Sequence, residues 1–211
     1  MEPISAAFAQ HWPHAQCMHL LDDSLSRDRL RDGELTRAMV ERFKALAAYA
    51  KGTGALGILF TCSAFGPAIE AAGKVVGIPT LKPNEAMFDQ ALGLGSQPSD
   101  AKLRVALIAT FEPSISSMSE EFHAMARERN IDVDLQTAHV PGAMDDLAAG
   151  RVQAHHRRIA DVASRFPDCD AVMLAQFSMA PAQRLVQQQV PGQVLTSPEC
   201  AVLALRRAMG A

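Results

Sequence analysis

Two short segments carry the residue types that could do chemistry. Thr61-Cys62-Ser63-Ala64-Phe65-Gly66-Pro67 offers one thiol flanked by hydroxyls, and Gln176-Phe177-Ser178-Met179-Ala180-Pro181 offers an amide and a hydroxyl in the same arrangement. Aligned, they set Cys62 opposite Gln176. Each follows an apolar run, Ala55 to Phe60 or Ala171 to Leu174, and each leads to a proline, Pro67 or Pro181, suited to the first helical position. A thiol just past a strand and just before a helix lies near unsatisfied backbone N–H groups and the positive end of a helix dipole. Thiolates serve there as base or nucleophile. Position alone leaves a second reading open, a buried structural cysteine. The loops 63–66 and 177–180 would offer N–H donors to a carboxylate or a developing oxyanion, with hydroxyls from Thr61, Ser63 and Ser178. Ordinary helix capping uses the same groups.

A second pair of loops contributes Lys82, Asn84 and Glu85 from one part of the chain and Thr196, Ser197 and Glu199 from the other. Thr196 and Ser197 are candidate carboxylate donors, although Ser197-Pro198-Glu199 also reads as a helix start. Cys200 falls inside that helix and is expected to pack. Asp22, Asp23 and Ser24 follow an expected strand at Met18 to Leu21, where a solvated helix cap accounts for them. His139 follows a strand at Val133 to Thr137 and would sit at the rim of the site. His155 and His156 are assigned to the polar face of a helix. No metal-binding spacing links the seven histidines, the four cysteines form no C-x-x-C pair, and the glycines match no dinucleotide or phosphate-loop pattern. Neither a metal nor a nucleotide cofactor is expected.

The elements that must position these groups form a repeat. Ile78-Pro79-Thr80-Leu81-Lys82-Pro83-Asn84-Glu85 resembles Val194-Leu195-Thr196-Ser197-Pro198-Glu199, and Glu2-Pro3-Ile4-Ser5 resembles Glu112-Pro113-Ser114-Ile115-Ser116. The second copy reads as strand 104–109, helix 116–129, strand 133–137, helix 152–165, strand 171–175, helix 181–189, strand 193–196 and a last helix to 209. Such alternation predicts an α/β fold with parallel sheets and helices on both faces, here two pseudo-symmetric β/α subdomains with the active site in the cleft between them. The halves are placed at 1–97 and 98–197, the turn-rich stretch Gly93 to Asp100 marks the boundary, and the C-terminal helix 198–211 is expected to pack on the first half. The strand Val105 to Ala109 has no counterpart before Glu2. Either the translation start lies upstream or the fold lacks that strand; the codons before Met1 would decide.

The 211 residues suit one large domain or two of roughly 100 residues each. With 48% hydrophobic residues and 20 Lys and Arg against 23 Asp and Glu, the chain has the composition of a globular protein and lacks the basic surplus of a nucleic-acid binder. No run approaches the roughly 18 apolar residues of a membrane helix, and no signal-peptide pattern opens the chain. A cytoplasmic protein is expected, with no membrane partner, and a homo-oligomer is common for an enzyme of this size.

The stretch from Thr61 to Ala72, with Gly77-Ile78-Pro79-Thr80, Glu85-Ala86 and Thr196-Ser197-Pro198, resembles the aspartate/glutamate/hydantoin racemase superfamily, which includes arylmalonate decarboxylase and maleate isomerase. The resemblance implies a cofactor-independent enzyme acting on a small carboxylate or amino-acid-derived substrate. Racemases of the superfamily place one cysteine in each half, on opposite faces of the substrate α-carbon. Here the first is Cys62, and Gln176 stands where the second would be. An amide has no useful acid or base pKa, so one thiol would manage the proton. The implied site is Cys62 as catalytic residue, with Thr61, Ser63, Ala64, Phe65, Thr110, Phe111, Gln176, Phe177, Ser178, Thr196 and Ser197 around the substrate. The other outcome is a non-catalytic paralogue that holds a small carboxylate.

Overall fold

The computed structural model describes residues 2–62, 65–95 and 102–211. Its larger sheet is built around β3 (Leu103–Ala109), a continuous aliphatic run that reads as a strand covered on both faces. The order is β4-β3-β5-β6, all parallel, with β4 at Val133–His139, β5 at Ala171–Leu174 and β6 at Gln193–Thr196. Side chains alternate along β3. Val105, Leu107 and Ala109 enter a core with Met118 and Phe122 of α6 (Ser114–Glu128) and with Phe88 and Leu92 of α5 (Glu85–Leu94). Ala106 and Ile108 enter the opposite core, with Ile159 of α8 (Val152–Ala163), Met179 and Val186. β5 and β6 approach closely where they begin: a Cβ on Gly192 would stand 2.1 Å from the Cys169 carbonyl oxygen, so only glycine fits.

The first half is smaller. After α1 (Glu2–His11), α2 (Ser24–Asp32) and α3 (Arg37–Gly52), the parallel strands β1 (Ile58–Leu59) and β2 (Thr80–Leu81) make a two-stranded sheet linked by α4 (Gly66–Val76). Met39, Phe43, Phe65, Ile69 and Val76 form its core between α3 and α4. By the repeat, β1 and β2 correspond to β5 and β6. Among the described residues nothing corresponds to β3, as the sequence comparison anticipates. The expected strand at Met18 to Leu21 does not form. A strand needs a partner for its N–H and C=O groups, and without a β3 counterpart Met18, Leu20 and Leu21 stay 77%, 51% and 69% exposed.

The C-terminal helix α10 (Ser197–Ala208) leaves the second half and packs on α1, β2 and α5, while α5 leaves the first half and packs on α6, β3 and β6. The halves are thus tied by exchanged helices. The expected boundary at 97/98 lies outside the described residues. Three local expectations change. The helix expected over 181–189 is a 3₁₀ turn, Phe177–Ala182, followed by α9 (Gln183–Gln187), and a short α7 (Ala143–Ala148) is added. His155 faces inward, fully buried with no hydrogen bond to either ring nitrogen, because it shares one helical stripe with Ile159, Val162 and Ala163. No helix among the described residues is long and apolar enough to cross a membrane.

Candidate functional site

Cys62 is exposed three residues beyond β1, in the connection that enters α4. Ser63 and Ala64 lie outside the described residues. Thr61 is also exposed. Phe65, expected beside a ligand, instead turns into the first-half core at 1% exposure, its ring 4.9 Å from Phe43. That packing anchors the start of α4 and the loop that carries the thiol. The two buried thiols differ. Burial pushes Cys169 upward in pKa, and burial with the nearby Glu199 carboxylate pushes Cys200 up to about 12, so neither forms a thiolate near neutral pH.

Gln176 caps the 3₁₀ turn at the carboxyl end of β5 and reaches across to the loop after β3. Its Oε1 accepts from the Thr110 backbone N–H at 2.8 Å and from the Thr110 hydroxyl at 3.2 Å. Its Nε2 donates to Ser114 Oγ at 2.9 Å. Ser114 Oγ in turn donates to the Phe111 carbonyl at 2.7 Å. Thr110 is thereby buried at 4% exposure, while the Phe111 side chain is exposed at 42%. Ser114 is the residue sequence reasoning missed, and its one available signal is the Glu-Pro element repeated at Glu2 and Glu112.

Both edges meet one small apolar cluster. Leu59 at the end of β1 and Phe177 just after Gln176 pack together with Ile4, Ala7 and Val202. The exposed thiol and the held amide therefore flank the same junction between the halves. Phe177 and Ser178 are half-buried there.

The second pair of loops meets at the same junction but is closed. Thr196 and Ser197 are 2% and 0% exposed, and Ser197 Oγ donates to Asn84 Oδ1 at 2.5 Å across the two halves. The Ser197 hydroxyl joins the halves, and both side chains are buried, so neither offers an open face to a ligand as it stands. Lys82 is held by Glu121 at 2.8 Å and Glu70 at 3.1 Å, with Glu85 at 3.8 Å. Glu85 itself is pushed up by burial. A surface groove of about 340 Å³ lined by Glu70, Lys74, Thr80, Lys82 and Glu85 lies on this flank and includes neither Cys62 nor Gln176.

Asp22 caps the start of α2, its Oδ1 accepting from the Ser24 backbone N–H at 3.2 Å and from the Ser24 hydroxyl at 2.9 Å, and it pairs with Arg42 of α3 at 2.5 Å, which lowers its pKa. His139 ends β4 inside the strand, its Nδ1 4.0 Å from Glu112. Among the described residues no group of three or more His, Cys, Asp or Glu could hold a metal ion.

The sequence matches the family described as Asp/Glu/Hydantoin racemase over residues 1–208. No curated protein sequence matches it. Among solved structures, glutamate racemase isoform RacE1 from Bacillus anthracis superposes with a TM-score of 0.69 at 12% identity, covering 99% of this chain and 77% of that one. An aspartate racemase homologue from Pyrococcus horikoshii gives 0.68 at 15% identity, covering 100% and 92%. Arylmalonate decarboxylase gives 0.61 at 15% identity, covering 98% and 87%. At these identities the structural likeness is one of fold.

Proposed function

We propose, for a chain that belongs to the Asp/Glu/hydantoin racemase family, a cofactor-independent cytoplasmic enzyme that acts through Cys62 at a carbon next to a carboxylate or carbonyl. One observation carries the reading. Cys62 is an exposed thiol at the carboxyl edge of one sheet, and its counterpart at the matching edge of the other sheet is the amide of Gln176, tied to Thr110 and Ser114.

A thiolate there removes the α-proton, and the electron pair left on carbon delocalises into the adjacent carboxylate or carbonyl as an enolate. Return of the proton from the same thiol completes an exchange. In the decarboxylating variant the C–C bond to the leaving carboxylate breaks, carbon dioxide departs, and the enolate takes its proton from the Cys62 S–H; water then restores the thiol. Either course places negative charge on a substrate oxygen, where hydrogen-bond donors fixed in advance stabilise it. Gln176 orients that oxygen and takes no proton.

The test is α-hydrogen exchange in heavy water over a panel of small carboxylates and hydantoins. Exchange lost in Cys62→Ala supports the reading, and exchange unchanged by that substitution overturns it. A second reading, a small-carboxylate-binding protein without turnover, is favoured by the amide at position 176. It predicts ligand binding with no exchange in the unaltered protein.

A further inference from the structure

The hydrogen-bond directions around Gln176 are fixed by chemistry. The Thr110 backbone N–H can only donate, so the atom 2.8 Å from it must be the amide oxygen. That oxygen also takes the Thr110 hydroxyl, which occupies both of its lone pairs. The Ser114 hydroxyl spends its single proton on the Phe111 carbonyl, so towards Gln176 it can only accept, and the amide nitrogen is the group that meets it. Two independent partners therefore specify the same amide orientation. What remains to Gln176 is one N–H, a neutral donor with no acceptor capacity left.

We propose that Ser114 and Thr110 are positioning residues that lock Gln176 as a donor-only contact, so that the substrate group it meets is an acceptor oxygen, of a carboxylate or carbonyl, and not an ammonium. This rests on the reading above that Gln176 touches the substrate. The chemical class follows. A malonate-type diacid carries a second carboxylate on the reacting carbon where an α-amino acid carries its ammonium. With one carboxylate held by the loop donors of the proposed site, the diacid still has an acceptor oxygen for Gln176, whereas the amino acid is left with its ammonium or its side chain, and the locked amide cannot accept from the ammonium. A free amide could rotate to accept from it; the Thr110 and Ser114 contacts together remove that option.

The experiment compares methylmalonate with alanine, which differ by a carboxylate in place of the ammonium, by titration calorimetry. Unaltered protein is expected to bind methylmalonate about ten-fold tighter than alanine, the worth of one hydrogen bond to a charged group. Ser114→Ala alone leaves the Thr110 N–H holding the amide oxygen and retains the ratio; Thr110→Pro combined with Ser114→Ala removes every partner of the amide and shrinks the ratio towards one. Gln176→Glu offers acceptors only and reverses the preference. A ratio near one in the unaltered protein, because alanine binds as well or because neither ligand binds, overturns the proposal, as does a ratio undisturbed in the double variant or a preference unreversed in Gln176→Glu. Thermal melting of each variant separates loss of fold from loss of selectivity, and the ratio is a quantity that merely structural partners would leave alone. Binding needs no turnover, so this outcome is separate from the Cys62 exchange test: exchange can vanish in Cys62→Ala while the ligand preference stands or falls independently.

Discussion

Replacing Gln176 by alanine tests the architecture of the second edge and carries a worked magnitude. The side chain satisfies the backbone N–H of Thr110, a residue only 4% exposed, and bonds to Ser114. Leaving a buried N–H unpaired costs about 1–3 kcal/mol and the lost Ser114 bond about 1 more, so the variant should be destabilised by roughly 2–4 kcal/mol. For a chain of this size each kcal/mol moves the melting temperature by about 2–4 °C, which gives a drop of roughly 4–16 °C. Thr110→Val removes only the hydroxyl donor and leaves the N–H paired, so it should cost about 1 kcal/mol or less. Urea unfolding of the two variants beside the parent protein reads both numbers. A Gln176→Ala change below about 0.5 kcal/mol, the scale of an ordinary surface substitution, would mean that water replaces the amide freely and that the lock does not exist.

Other expectations follow from the same geometry. Iodoacetamide should modify the exposed Cys62 fastest, Cys17 more slowly because desolvation pushes its thiol pKa up, and the buried Cys169 and Cys200 only once the chain is unfolded, with a bound carboxylate protecting Cys62 alone; peptide mass mapping reads this, and protection of Cys17 instead would misplace the site. Burial, and then the neighbouring His156, disfavours the charged form of His155. The unfolded chain takes up that proton near the ordinary histidine value of about 6.5, so stability should be full above that pH and fall as pH drops below it. Urea midpoints at pH 7 and pH 5 should show that loss, and a His155→Phe variant should lose less; identical slopes would remove His155 as the cause. Asn84→Ala and Ser197→Ala should show a coupling of about 0.5–3 kcal/mol in a double-mutant cycle, since their buried hydrogen bond joins the two halves; additive effects would contradict that.

Local pattern made much of this molecule readable. The aliphatic run at Val105 to Ala109 reads as a strand covered on both faces and is one, and the repeat around Cys62 and Gln176 matches the strand-loop-helix order found at both places. What failed depended on neighbours distant in the chain. Met18 to Leu21 has the composition of a strand, yet pairing is a property of two segments, and the partner that β3 provides for β4 has no first-half equivalent among the described residues. Phe65 stands three residues from Cys62, inside the segment that the resemblance sets around a substrate; the start of α4 instead directs it onto Phe43. His155 was legible after all, because the spacing to Ile159 and Val162 is that of a buried helical stripe, but its histidine partner suggested a polar face. Ser114 lies 62 residues from Gln176 in sequence, and nothing local announces their hydrogen bond. Thr196 and Ser197 sit where the repeat places them, at the end of β6, while the partner of the buried Ser197 hydroxyl is Asn84 from the other half.

The central claim is that Cys62 and Gln176 address one substrate from two sheet edges. A crystal structure with bound methylmalonate measures this directly. The account predicts a carboxylate oxygen within hydrogen-bond distance of Gln176 Nε2, and the α-carbon at about 3–3.5 Å from Cys62 Sγ, the range of a reactive approach. A ligand seated away from either side chain, or a Cys62 thiol turned away from the α-carbon, would contradict it.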